Sequence, residues 1–222
     1  LRADLEVKFS MMTAPSLAPR GVGGSFEMTG GSLEFEAFEI TEFAAAVGVS
    51  IGASPSDKEC YIAASARMEF SAYEVEGGIF FGRTCTLAPI EMINSDVADL
   101  LGTPPFTGAY VYGEVWLPIS EMLTGIPASC LFRISAGVGA GAFYFVEGPT
   151  WGGQLLLGVS GEALCVVSIK GELRMIGVMS GNELRYSGRG TLKGKAGACP
   201  FCIKFNKSAK FEYQNGDWSV DY

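Results

Sequence analysis

The chain contains no histidine. That single absence removes the Ser-His-Asp and Cys-His nucleophile systems together with imidazole-ligated metals. Charge is scarce as well, since Asp, Glu, Lys and Arg make up 18% of the 222 residues where about a quarter is usual. With 48% hydrophobic residues the chain is nothing like a disordered polypeptide, and it folds around buried apolar surface. Long apolar runs are also missing. The longest nearly uncharged stretch, Leu131 to Val146, is 16 residues, carries Arg133, and is interrupted by Gly137, Gly139 and Gly141. A membrane-spanning helix needs about 20 apolar residues, so the sequence predicts none. No basic segment followed by an apolar run opens the chain, and its first residue is Leu1. The expectation is a single all-β domain over 1–222, the processed or C-terminal part of a larger secreted protein.

What is present is strand pattern. Alternate residues of a strand face opposite sides, and the clearest case is Ile203, Phe205, Ala209, Phe211 and Tyr213 against Lys204, Asn206, Ser208, Lys210 and Glu212. Residues 183–195 and 166–175 alternate the same way. Further strands are expected at about 3–12, 24–29, 32–41, 44–53, 60–75, 78–87, 109–118, 130–146 and 153–163. Turns are expected at Glu76-Gly77-Gly78, Ser180-Gly181-Asn182 and Asn215-Gly216-Asp217, whose residues tolerate positive φ. Two short helices are expected, one at Ser95-Asp96 through Leu101 and one at Ser120-Glu121-Met122-Leu123. These readings define an all-β, mainly antiparallel fold of long hairpins, arranged as a sandwich or a rolled sheet with one or two short helices.

Six cysteines without histidine fit disulfides better than a zinc site, because only Cys199 and Cys202 form a close pair. Cys60, Cys85, Cys130, Cys165, Cys199 and Cys202 are therefore disulfide candidates. Disulfides imply an oxidising location: secreted, cell surface or periplasmic. Three of these cysteines open similar runs, CYIAASARMEFSA from Cys60, CLFRISAGVGAGA from Cys130 and CIKFNKSAKFEY from Cys202. Successive hairpins of constant length would return them to one rim of the sheet, where bridges could clamp neighbouring strands.

Motifs that suggest chemistry fail on context. Cys199-Pro200-Phe201-Cys202 is similar to the redox CPxC of glutaredoxin-like proteins, which opens a helix that lowers the first thiol's pKa. Here the motif leads into an alternating strand, so a structural bridge or turn is expected. The GRGTLKGK run at 188–195 departs from a phosphate loop in spacing and in the residue after its last lysine. GVGAGA at 137–142 lies inside an alternating run instead of at a strand-to-helix turn, and is no dinucleotide fingerprint. Trp218, Val220 and Tyr222 resemble the closing strand of an outer-membrane barrel, but such strands run about ten residues and the turn at 215–217 interrupts this one. Asn206-Lys207-Ser208 is a glycosylation sequon, making Asn206 the candidate acceptor.

Net charge is −8 and unevenly distributed. Residues 27–76 carry ten acids and two bases, whereas 170–210 carry nine bases and two acids. Lys170, Arg174, Arg185, Arg189, Lys193, Lys195, Lys204 and Lys210 share the polar parity of their strands and form one basic face. That face suits an anionic glycan or lipid, or the acidic region of a second copy; alternatively the two regions neutralise each other within one fold. Nucleic acid is disfavoured, because the basic strands lack aromatic interleaving. No cofactor, metal or catalytic residue is indicated. The expected role is non-enzymatic: an extracytoplasmic structural or interaction module, a subunit of a surface assembly or filament held by protein–protein contact. A carrier of lipid or another apolar ligand in a β-lined cavity is the alternative, and a glycan-active enzyme using paired acids is third.

Overall fold

A computed structural model describes residues 4–13, 19–29, 33–35, 37–50, 58–70, 73–124, 132–164, 166–197, 202–214 and 216–221. The strands are β1 (Asp4–Thr13), β2 (Pro19–Thr29), β3 (Leu33–Glu34), β4 (Phe38–Ser50), β5 (Cys60–Phe70), β6 (Glu74–Thr84), β7 (Phe106–Leu117), β8 (Phe132–Phe145), β9 (Thr150–Ala163), β10 (Val167–Ser180), β11 (Glu183–Ala196), β12 (Ile203–Gln214) and β13 (Asp217–Asp221). Three short helices join them: α1 (Ala88–Glu91), α2 (Ser95–Leu100) and α3 (Ile119–Thr124). The all-β expectation holds, with one helix more than foreseen. Every strand pairs antiparallel with its neighbour in a single sheet that follows chain order, β3 alone lying off the path beside β4.

Long, unbroken pairing keeps the alternation in phase from strand to strand. Val111 pairs with Ala142, Val138 with Leu157, Leu157 with Leu173, Leu173 with Gly190, and Leu192 with Lys207. From β7 to β12 one face is therefore nearly all apolar, and the other carries the charged residues together with the rings of the core. The sheet is also strongly curved. Seven strand spacings separate β5 from β12, roughly 34 Å if the sheet were flat, yet Glu69 of β5 and Lys204 of β12 line one cavity of about 730 Å³. It is a rolled sheet whose polar face is concave. Among the described residues no pairing joins β1 to β12 or β13.

The connection between β6 and β7 folds back into the concavity at one rim. Ile90, Ile93, Val97, Ala98 and Leu101 pack there on Phe80, Tyr110, Tyr112, Phe143, Phe145, Ile176 and Val178, and this is the buried core. The aromatic rings interlock, with Phe106 5.3 Å from Phe145 and Tyr110 edge-on to Phe143 at 6.0 Å. Asn94 caps α2 through its side chain, which accepts from the Val97 amide, so the cap is one residue earlier than the serine expected from sequence.

Two expectations change. Glu76-Gly77-Gly78 is strand, not turn, because β6 begins at Glu74 and continues to Thr84. Gly78 sits against Ile93 and the Tyr112 ring, and Gly137 and Gly158 flank the Trp116 ring, so several of these glycines are packing positions. The cysteines also do not share one rim. Seven strand steps separate β5 from β12, and an odd number of antiparallel steps reverses the chain end. Cys60 therefore lies at the rim of the helical plug and Cys202 at the opposite one.

Truncating the plug should be costly. Ile90 and Val97 are fully buried, and Ile90→Ala is expected to lower stability by about 2–5 kcal/mol in denaturant titrations, with Val97→Ala smaller in the same direction.

Candidate functional site

Polar inward parity turns the concave face into a charged surface below the plug. Glu114 is buried beside Arg174 at 3.4 Å and accepts from the Trp116 indole at 3.4 Å. Lys170 stands 4.2 Å over the Trp116 ring and 3.2 Å from Glu172. Tyr112 donates to Glu76, and Arg67 pairs with Glu74. Above this layer the plug is held by polar contacts. Gln154 accepts from Asn94 at 2.8 Å and from the Tyr110 hydroxyl at 3.1 Å, and Asp96 pairs with Arg189 at 3.0 Å.

Toward the other rim the concavity opens into the cavity of about 730 Å³. Glu69 and Glu74 lie on one wall and Lys193, Lys195 and Lys204 on the other, with Ser135, Ser160 and Ser168 and the neighbouring Arg133 and Glu162 between. The acidic and basic regions of the sequence thus face each other across one space. The eight bases expected to form one face do share the concave parity, but most are already engaged within the fold. Lys170, Arg174, Arg185, Arg189 and Lys210 each have a carboxylate within 4.0 Å. Among the described residues none pairs with Lys193, Lys195 or Lys204. Asn206 lines the same cavity, so the sequon lies on the inner wall.

The cysteine expectation is corrected in part. Cys60 and Cys85 are thiols, not bridge partners. Cys85 directs its sulfur to the Lys58 carbonyl oxygen at 3.7 Å, and its amide donates to the Glu59 carboxylate at 2.7 Å. Local backbone contacts at this rim fix its position. Cys202 is disulfide-bonded, and its partner lies outside the described residues, as do Cys130, Cys165 and Cys199. Among the described residues no group of three metal-ligating side chains converges.

The convex face is the larger surprise. Every outward position of β7 to β12 is apolar, aromatic or glycine except Thr107 and Lys207. Most of it is unburied: Val111, Val138, Leu155, Leu157, Val159 and Ile169 are all exposed. Near the plug rim the row ends in aromatic residues, namely Phe81, Tyr144, Trp151, Tyr186, Tyr213 and Trp218. Tyr213 contacts Trp218 at 5.0 Å and Tyr186 at 6.2 Å. At the opposite rim Phe35, Phe38, Phe70 and Tyr73 stack in succession at 4.7, 5.6 and 4.5 Å, and Phe132 and Phe205 stand exposed farther along. Outward glycines are covered by neighbours in places, Gly188 by the Phe211 ring and Gly194 by that of Phe205. No helix is long and apolar enough to cross a membrane, among the described residues.

No family model, no curated protein and no solved structure matches this chain.

The amide of Gln154 ties plug to wall. Gln154→Leu leaves Asn94 and Tyr110 without their shared acceptor, and a loss of about 1–3 kcal/mol is expected in thermal or chemical denaturation.

Proposed function

We propose that the chain is a membrane-seated β-wall: its convex face lies in lipid, its concave face encloses a water-filled charged vestibule, and the α1–α2 segment closes one end. The observation that carries this reading is the outward placement of the apolar parity with an aromatic row at each rim. Water-facing sheets bury that parity, whereas spanning sheets turn it toward acyl chains and set aromatic residues at both interfaces. Dimensions agree. From Phe132 to Tyr144 is twelve residue steps along β8, about 41 Å at 3.4 Å each, or about 29 Å of height at a 45° tilt. That is close to the thickness of a hydrocarbon core, about 30 Å.

The disulfide at Cys202 supports an extracytoplasmic location, the cell surface or an envelope compartment. The role is non-enzymatic in this reading, a structural wall that admits solute to its vestibule. Lys207 is the exception on the convex face; its four-carbon stem lets the ammonium reach toward the nearer interface. The alternative of an apolar ligand has one observation behind it, a cavity of about 860 Å³ lined by the outward Leu157, Val159, Leu173 and Leu192, whereas the cavity on the concave side is lined by charge.

A second reading, a subunit of a surface assembly, is favoured by the sheet edges. Among the described residues β1 and β13 each pair on one side only. An unpaired edge offers a row of backbone groups to another chain. Assembly through edges needs no lipid.

Flotation with phospholipid vesicles separates the two. The protein is expected in the lipid fraction, as a monomer after detergent extraction. Leu157→Arg, in the middle of the convex face, should weaken insertion by about 2–4 kcal/mol, while Ser160→Arg on the concave face leaves flotation unchanged. A protein that stays in the aqueous fraction and grows in size with concentration overturns the membrane reading and favours assembly.

A further inference from the structure

Among the described residues no carboxylate pairs with Lys193, Lys195 or Lys204 of the vestibule, and their register works against stability. Lys195 pairs directly with Lys204, and Lys170 directly with Lys193. Like charges at directly opposed positions of a sheet destabilise it. Elsewhere on this face the same problem is solved: Arg174 opposes Arg189, but Glu114 and Asp96 reach them. Among the described residues no carboxylate lies within 4.0 Å of Lys193, Lys195 or Lys204: Ser168 and Asn206 face Lys195 and Lys193 in register, and Glu162, which also lines the cavity, stands one strand beyond Ser168. These side chains converge on one concave volume of about 730 Å³, large enough for a small solute.

We infer that the Lys193–Lys195–Lys204 wall is a binding site for a free, multiply charged oxyanion such as a phosphorylated solute. The anion would supply the missing counter-charge. Each ammonium offers three donors to phosphoryl oxygens, and the serine and asparagine side chains complete the contacts. Glu69 and Glu74 on the facing wall repel the anion from that side and confine it to the lysines. Phosphoryl groups also occur on anionic lipids, and the test below separates a free anion from a lipid headgroup. The site depends only on the concave face being open to water, so it can be tested on detergent-folded protein whether or not vesicle insertion succeeds.

Binding of pyrophosphate is measured by calorimetry on the full chain in neutral detergent at low salt. Saturable binding is expected, weakening as salt rises. Lys195→Gln/Lys204→Gln should raise Kd at least tenfold, and Lys207→Gln on the convex face should leave it unchanged. The same double variant should melt at a higher temperature than the parent without pyrophosphate, because it removes a directly opposed like-charge pair. Added pyrophosphate should raise the melting temperature of the parent only. Absence of pyrophosphate binding, equal binding by the double variant, or a response confined to micelles doped with anionic phospholipid would each overturn the inference.

Discussion

An uninterrupted antiparallel ladder, twelve strands in chain order, is the constraint from which the rest follows. Because pairing from β7 to β12 runs without a register shift, a residue's parity decides its face across the whole wall. Curvature then gives the two faces unequal meanings. The inner one gathers Glu114, Lys170, Glu172 and Arg174 into close range, where ion pairs form; the outer one spreads Val138, Leu157 and Ile169 apart. Had one strand slipped by a single residue, an arginine would stand among leucines and a leucine among carboxylates.

The ordinary hydrophobic core is small and off-centre. It consists of the helical plug and the ring cluster under it, and it stabilises one end of the concavity only. Among the described residues the remaining length of the wall has no apolar layer beneath it, and it is bound laterally by backbone hydrogen bonds, by the inner ion pairs and by rings laid over glycines. That outer apolar surface is the one the proposed function sets against lipid. Exposed contiguous apolar surface well beyond a few hundred Å² is otherwise rare on folded chains.

Much of the architecture was legible in the sequence. The strands at 183–195 and 203–213 declare themselves through clean alternation, and the helix at 95–100 through its polar start and the glycine and prolines beyond it. Gly77 and Gly78 mislead because glycine signals a turn only when nothing else needs the space; here Ile93 and Tyr112 need it. The hidden part is which face is inside. Alternation at 203–213 is the same whether Phe205 points into a protein core or away from the molecule, and only the roll of the sheet, set by strands far apart in sequence, decides. Glu69 and Lys204 could be assigned to oppositely charged regions from composition, but not to one cavity. Similar runs after Cys60 and Cys202 do not record chain direction, so the two residues fall at opposite rims.

The plug has a topological property worth drawing out. It is spliced between two adjacent strands at the same rim, so its leash at either end is short: residues 85–87 leave β6 and residues 102–105 enter β7. A cork so tied stays attached to the wall at both ends. Any widening of that end must be a swing about those two points, and Gly102, whose surroundings are empty, leaves room for the backbone to turn there. Passage through this rim, where it occurs, is the movement of a door and not the loss of a stopper.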